Sequence, residues 1–298
     1  MSPPLNPAKR VGAYLIWLLI VTVTSEGLVA SAATAGWHSA GLLWIFELSV
    51  AWSPAIAALF ASVQTRRSIM AIGWRLPSWR MLALAYAIPL AYSLATYGLV
   101  WLSGLGGFPN TQRLDEMTSA LGLNHLPSSA AFALLVLHHG TLLWLRGCVS
   151  SLGEEIGWRG FLLPELAKVT SYRRAAIFSG LVWSAWHLPL ILFGGYHGHN
   201  WLPYSLACFT LVITTMSFPL AWLRLRSGEV WTCTAFHASH NLFILKLFNP
   251  LTIDTGPTRW LVSEFGILTV LMTALTAWCF RSPPSRQTPD IRDDASAC

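Results

Sequence analysis

Charged residues are scarce in this chain. Only 11% of its 298 residues are Asp, Glu, Lys or Arg, whereas 54% are hydrophobic and 16 are Trp. An average soluble domain has about 25% charged residues, so the composition excludes an ordinary soluble fold. The mean hydropathy of +0.52 agrees with this exclusion. We therefore expect an integral membrane protein of the all-α class.

Two further kinds of feature are missing. The net charge is +6, but the Lys and Arg residues are dispersed among the connections between apolar segments and form no basic stripe, which excludes a nucleic-acid partner. The five cysteines are an odd number and most of them fall inside apolar segments. No disulfide framework is therefore predicted.

Apolar windows of about 20 residues, the length that a helix needs to cross a bilayer, recur along the chain. They predict one domain, residues 1–281, that forms a polytopic bundle of about eight transmembrane helices. The tail 282–298, which is rich in Pro and charge, is predicted to be disordered and cytoplasmic. The eight windows are 11–33, 41–63, 81–103, 129–151, 174–193, 201–223, 229–247 and 260–280.

The positions of Lys and Arg predict the orientation, because cytoplasmic loops retain these residues. With the N-terminus inside, 16 of the 19 basic residues fall in cytoplasmic loops. We expect a multi-pass protein of a bacterial-type plasma membrane with both termini cytoplasmic. The first apolar run has a second interpretation, since Lys9-Arg10 and Ala30-Ser31-Ala32 resemble the ends of a cleaved secretory signal. The run is longer than the usual signal, which favours a retained helix.

Ionisable residues inside the apolar segments are candidates for function, because a charge in the bilayer is costly. Glu154 and Glu155 are adjacent, and Arg159 follows one turn later. Positions i and i+4 share a helix face, so Arg159 is predicted to pair with Glu155 while Glu154 points about 100° away. A purely structural role for the Glu155 and Arg159 pair stays open.

A second group consists of His187, His237 and Asn241. Glu154 and His187 each lie about 16 residues from the polar turn 169–174, which puts them at matching depth in a helical hairpin. His237 and Asn241 are also i and i+4, and two donors on one face suit a developing oxyanion. We predict a hydrolytic site in which Glu154 takes a proton from water and His187 orients that water.

The cofactor stays open at this point. Glu154, His187 and His237 form a set of two histidines and one carboxylate, like the ligands of catalytic zinc sites. No H-E-x-x-H pair occurs. The sequence does not decide between zinc-bound water and water activated by a metal-free glutamate. The adjacent His240 is left out of the site, because it points about 100° away from His237.

Three motifs occur in order on separate apolar segments. Residues 154–159 match E-E-x-x-x-R, residues 183–187 are similar to F-x-x-x-H, and residues 237–241 match H-x-x-x-N. Together they resemble the CAAX protease and bacteriocin-processing family of intramembrane proteases, which is related to the type II CAAX prenyl endopeptidase. Trp183 departs from the Phe of the second motif, and this change implies a different cavity shape.

The resemblance implies an eight-helix core with an intramembrane cavity open to the cytoplasmic side. It also implies that Glu154 and His187 activate water, and that His237 and Asn241 bind the oxyanion. Members of this family are described both as metalloproteases and as metal-free glutamate proteases.

These features predict an intramembrane endopeptidase. Its partners would be the lipid bilayer and a peptide or protein substrate that reaches the membrane, with prenylated CAAX-like tails as one substrate class. The alternative is a transporter or a non-catalytic factor, such as a bacteriocin immunity protein, that uses the same polar cluster for binding. A transporter is expected to carry inverted repeats with broken helices, and the sequence shows none.

Overall fold

A computed structural model describes residues 6–34, 48–198 and 200–285. These ranges are mostly helical, at 77%, and their sheet consists of two antiparallel two-residue strands, β1 (Gly106–Gly107) and β2 (Ile253–Asp254). The predicted all-α membrane bundle is confirmed. The α-helices are α1 (Pro7–Thr34), α2 (Ser53–Gln64), α3 (Trp79–Leu102), α4 (Thr111–Ala120), α5 (Ser128–His138), α6 (Trp144–Glu155), α7 (Leu163–Val169), α8 (Tyr172–Trp186), α9 (Leu188–Phe193), α10 (Leu202–Ser227), α11 (Trp231–His240), α12 (Thr258–Leu261) and α13 (Ile267–Cys279).

Each of the eight predicted windows contains helix in its described part. The apolar helices Leu48–Gln64 and Ile267–Cys279 are shorter than a full crossing. The number of crossings and their orientation therefore stay predictions, and most of the predicted tail, from residue 286 onward, lies outside the described residues. In the part of the chain that the structure describes, five helical segments are long and apolar enough to cross a membrane: Pro7–Ser31, Trp79–Leu102, Ser128–Val169, Tyr172–Phe193 and Leu202–Ser227.

The segment Ser128–Val169 forms one helical rod of 42 residues, which is about 63 Å long at the usual rise per residue. Two π-helical stretches, His139–Leu143 and Ile156–Leu162, join α5, α6 and α7 without a break. The predicted window ended at residue 151, whereas the helix continues to Val169.

Glycines on the rod allow α2 to lie against it next to the paired glutamates. A Cβ atom on Gly153 would be 2.7 Å from the Trp52 ring, and one on Gly157 would be 2.5 Å from Pro54. Both distances are too short for real atoms, so side chains at these positions would push α2 away. Small residues commonly permit such close helix packing in membranes.

The remaining helices complete the bundle around the rod. Helix α10 packs against α8 on one side and α13 on the other, while α11 packs against α3 and α6. At one end, the buried Glu165 carboxylate of α7 binds Arg67 at 2.9 Å and Lys168 at 2.7 Å. Burial lowers the pKa of the Arg67 guanidinium, and the nearby Glu165 charge opposes this shift. This pairing ties the connection after α2 to the rod.

Candidate active site

Two of the three motifs lie where an α-helix continues as a π-helical stretch. Helix α6 ends at Glu155 and continues as the π stretch Ile156–Leu162, while α11 continues as a third π stretch, Asn241–Phe248. Such π stretches are rare and often occur at functional sites. Both glutamates are buried, with Glu154 7% and Glu155 0% exposed.

Glu155 joins two of the motifs directly. Its Oε1 atom accepts hydrogen bonds from Arg159 Nη1 at 2.8 Å and from His237 Nδ1 at 3.0 Å. Arg159 also donates from Nη2 to Ser217 Oγ on α10, at 3.1 Å. The predicted pairing of Glu155 with Arg159 is therefore present, and its carboxylate also fixes an imidazole from α11.

Glu154 is held by a residue from the second motif. The indole Nε1 of Trp183 donates to Glu154 Oε2 at 2.9 Å. The guanidinium carbon of Arg159 lies 4.4 Å from the Trp183 ring centroid, and the His237 ring meets the same indole at 4.9 Å. Trp183 thus contacts side chains of both other motifs. The sequence analysis treated it as an aromatic replacement for Phe and missed its donor, which Phe lacks.

His187 lies at the junction between α8 and α9, one turn beyond Trp183. Its Nδ1 is 3.1 Å from the Trp183 carbonyl oxygen. A carbonyl only accepts, so Nδ1 carries the proton and Nε2 of the neutral ring is an acceptor. Within the described residues, His187 makes no hydrogen bond to Glu154. The hydrogen bond between these two helices is made instead by Trp183 and Glu154, and the predicted matching depth of Glu154 and His187 stays a prediction.

His237 and Asn241 occupy different surroundings although they are four residues apart. His237 is 4% exposed and points its Nδ1 at Glu155. Asn241 is partly exposed and lines a cavity of about 380 Å³ together with Ala238, and its side chain makes no hydrogen bond to any described residue. The π stretch begins at Asn241, so the regular α-helical spacing that the prediction assumed ends there.

The cavity beside Asn241 carries positive charge. Among the described residues, its wall includes Arg146 and Lys246 and no acidic residue, and apart from Asn241 the remaining lining is small or apolar. The side of the membrane to which it opens stays a prediction. The described lining residues are Leu48, Leu143, Arg146, Gly147, Ser150, Ala238, Asn241, Leu242 and Lys246.

The predicted zinc ligands are not grouped as a metal site. In the part of the chain that the structure describes, no three His, Cys, Asp or Glu side chains are arranged to hold a metal ion. Glu154 Oε2 is bonded to Trp183, and His237 Nδ1 is bonded to Glu155. Glu154 Oε1, His187 Nε2 and His237 Nε2 make no hydrogen bond to any described residue, and the choice between zinc-bound water and a metal-free glutamate stays a prediction.

A second buried polar cluster lies next to these residues. It contains Tyr92, His240 and Glu264, which are 3% exposed or less, and the half-buried Tyr196. The sequence analysis left His240 out and did not consider Glu264. An acidic residue inside the last apolar window was the signal that could have identified it.

Comparison with known proteins finds a family that resembles the central segment. Residues 137–243 match the family described as type II CAAX prenyl endopeptidase Rce1-like. This segment is similar to that family. It contains all three motifs, so the resemblance stated from them is confirmed.

A curated relative supports this similarity. The chain is similar to the CAAX prenyl protease 2 of Methanococcus maripaludis, with 29% identity over 126 residues. The similarity covers 41% of this chain and 44% of the relative. The chain thus spans less than half the length of the curated relative that it matches.

Proposed function

We propose that this protein is an intramembrane endopeptidase that cleaves membrane-associated peptides, with prenylated CAAX-like tails as its substrate class. The observation that supports this most strongly is the convergence of the three motifs on one indole. The Glu154 carboxylate, the Arg159 guanidinium and the His237 ring all contact Trp183. Residues that only packed separate helices together would not be expected to contact a single side chain in this way.

In this proposal Glu154 is the general base. Trp183 holds Oε2, and Oε1 makes no hydrogen bond to any described residue, so it can accept a proton from water. A carboxylate with one oxygen held in place is suited to this step, because a general base must lie within hydrogen-bond reach of the proton that it abstracts. His187 Nε2 is the second acceptor that orients the water.

The reaction then follows from the proton balance. As the water oxygen attacks the peptide carbonyl carbon, Glu154 takes the proton and the carbonyl oxygen becomes an oxyanion. His237 and Asn241 donate to this oxygen, and the Glu155 carboxylate at Nδ1 compensates the charge of a protonated His237. Protonated Glu154 then gives its proton to the leaving nitrogen, and the C–N bond breaks. No other reactant is needed.

The cavity supports a substrate with an anionic group and an apolar part. Arg146 and Lys246 stand in the same wall as Asn241, and Leu48, Leu143 and Leu242 supply apolar surface. A peptide bound with its free carboxyl terminus near the two cations would place a bond close to that terminus beside Asn241. The name of the relative, CAAX prenyl protease 2, is consistent with such a substrate.

The test is cleavage by purified protein in lipid nanodiscs. A peptide with a prenylated cysteine near its C-terminus is compared with the same peptide without the lipid, and products are identified by mass spectrometry. We expect Glu154→Gln and His187→Ala to abolish cleavage. Glu116→Gln, the same chemical change at an exposed residue of α4, should leave it unchanged.

Two outcomes would overturn the proposal. Equal cleavage by the wild type, Glu154→Gln and His187→Ala would show that the activity arises elsewhere. Failure of the folded wild type to cleave either peptide, or a library of membrane-bound peptides, would leave a binding or transport role for the polar cluster.

A further inference from the structure

The second buried cluster is a continuous chain of contacts. The Tyr92 hydroxyl lies 2.6 Å from His240 Nδ1, and His240 Nε2 donates to Glu264 Oε1 at 3.0 Å. The other carboxylate oxygen, Oε2, accepts a hydrogen bond from the Tyr196 hydroxyl. The chain thus runs from α3 through α11 and the α12–α13 connection to the loop after α9.

The cluster requires an explanation beyond packing. Glu264 and His240 are removed from water inside an apolar bundle, and burial of ionisable groups is unfavourable even when they are paired. Apolar side chains of similar size could join the same segments without that penalty. Ionisable residues at such depth in membrane bundles usually serve a function.

The free end of the cluster touches the proposed active site. The Tyr196 ring stacks on His187, with ring centroids 6.4 Å apart and planes at 27°. Both rings also pack on Phe209, at 5.0 Å from His187 and 6.1 Å from Tyr196.

His187 needs such support because of its place in the chain. It caps the end of α8, and Pro189 opens the next short helix, so no regular helix continues through the residue. Its Nδ1 bond to the Trp183 carbonyl fixes one edge of the ring. A second contact is required to fix the tilt of the ring and hence the direction of Nε2.

We propose that Glu264 is a positioning residue for His187, acting through Tyr196. His240 fixes the Glu264 carboxylate, the carboxylate fixes the Tyr196 hydroxyl, and the Tyr196 ring sets the orientation of the His187 imidazole. Because His240 lies three residues after His237, the same chain couples the oxyanion helix to the water-orienting residue. This inference rests on the proposed peptidase function.

The experiment compares Glu264→Gln and Tyr196→Phe with the wild type. Both variants keep the shape of the side chain and remove one part of the hydrogen-bonded pair. We expect each to lower kcat by about ten- to a hundredfold with KM changed less than about threefold, because misplacement of a catalytic group affects the reaction more than binding. The double variant should be little worse than either single variant, since both break one contact.

Thr273→Val is the matched control for a purely structural role. Thr273 is a buried polar residue of α13 that bonds to Thr215 of α10 at 2.9 Å, away from His187. We expect it to lower the unfolding temperature without lowering kcat. Thermal unfolding of every variant is measured in the same nanodiscs.

The outcomes separate this inference from the proposed function. If Glu154→Gln abolishes cleavage while Glu264→Gln and Tyr196→Phe retain wild-type kcat, the positioning role is wrong and the peptidase proposal stands. The positioning role would also be wrong if Thr273→Val and Tyr196→Phe had the same unfolding temperature and lost the same fraction of kcat. If Glu264→Gln fails to fold, Tyr196→Phe, which removes a single oxygen atom, decides the matter.

Discussion

The indole nitrogen of Trp183 lies 2.9 Å from Oε2 of Glu154. This contact joins the first and second motifs, and it is made by the residue that departs from the family pattern. A hydrogen bond to an ionised carboxylate stabilises the charged form and restricts its rotation. The departure at position 183 therefore adds a hydrogen bond to the site, because the Phe ring has no donor.

Trp183→Phe is predicted to weaken catalysis without disrupting the fold. Hydrogen bonds to charged groups contribute about 1.5–3 kcal/mol, which corresponds to a loss of about ten- to a hundredfold in kcat/KM. The measurement is steady-state cleavage of the prenylated peptide. Trp101→Phe is the matched control, since Trp101 donates to Thr252 at 3.0 Å in a different part of the bundle. Equal activity of Trp183→Phe and the wild type would contradict the prediction.

The ion pair of Glu155 and Arg159 allows the structural and catalytic roles to be separated. Removal of one partner leaves a buried charge, so Arg159→Met should lower the free energy of unfolding by about 3–5 kcal/mol. The double variant Glu155→Met, Arg159→Met leaves no unpaired charge and should recover part of that stability. Activity should not return, because His237 has then lost its carboxylate partner.

Thermal unfolding and cleavage are measured side by side for these variants. Arg113→Ala, which breaks the exposed pair with Glu116 on α4, serves as the control and should change neither quantity. If the double variant regains both stability and activity, the pair is purely structural and the role of Glu155 at His237 is excluded.

Much of the fold could be predicted from hydrophobic patterning. Apolar windows identify helices because each backbone group in a bilayer must be bonded within its own segment. The patterning could not show where the long rod ends, since residues after 151 include glycines and charges that resemble a loop. In the folded chain Arg159 is buried beside Glu155 and Ser217, and the helix continues past it. The contact of Arg159 with Ser217, which joins two helices, cannot be read from the pattern of apolar residues.

The candidate site was predictable only in part, for the same reason. Spacing along one helix predicted the pairing of Glu155 with Arg159, which is a local interaction. The partners of Glu154 and Glu264 come from other helices, at separations of 29 and 24 residues from their bonded neighbours. Such contacts depend on how the helices dock. Sequence spacing therefore identified the residues of the motifs but missed what holds them in place.

Asn241 is predicted to act in the transition state. Removal of one oxyanion donor commonly lowers kcat by about a hundred- to a thousandfold. We expect Asn241→Ala to show this loss with little change in KM, because the donor acts on charge that develops during the reaction. Asn124→Ala, at an exposed position between α4 and α5, should have no effect. A rise in KM with unchanged kcat would show instead that Asn241 binds the ground-state substrate.

The two cations in the cavity wall are predicted to recognise the substrate's carboxyl terminus. Arg146→Gln and Lys246→Gln remove positive charge from the wall that contains Asn241. Each should raise KM for a peptide with a free carboxylate by about tenfold, the effect of losing one charge-assisted hydrogen bond of modest strength. A peptide amidated at its C-terminus lacks the negative charge, so wild type and variants should cleave it with similar KM.

If both variants instead raise KM for the amidated and the free peptide by the same factor, the cations shape the cavity but do not bind the terminus. Arg113→Gln, at an exposed position on α4, is the control for a general effect of lost charge, because its side chain does not line this cavity.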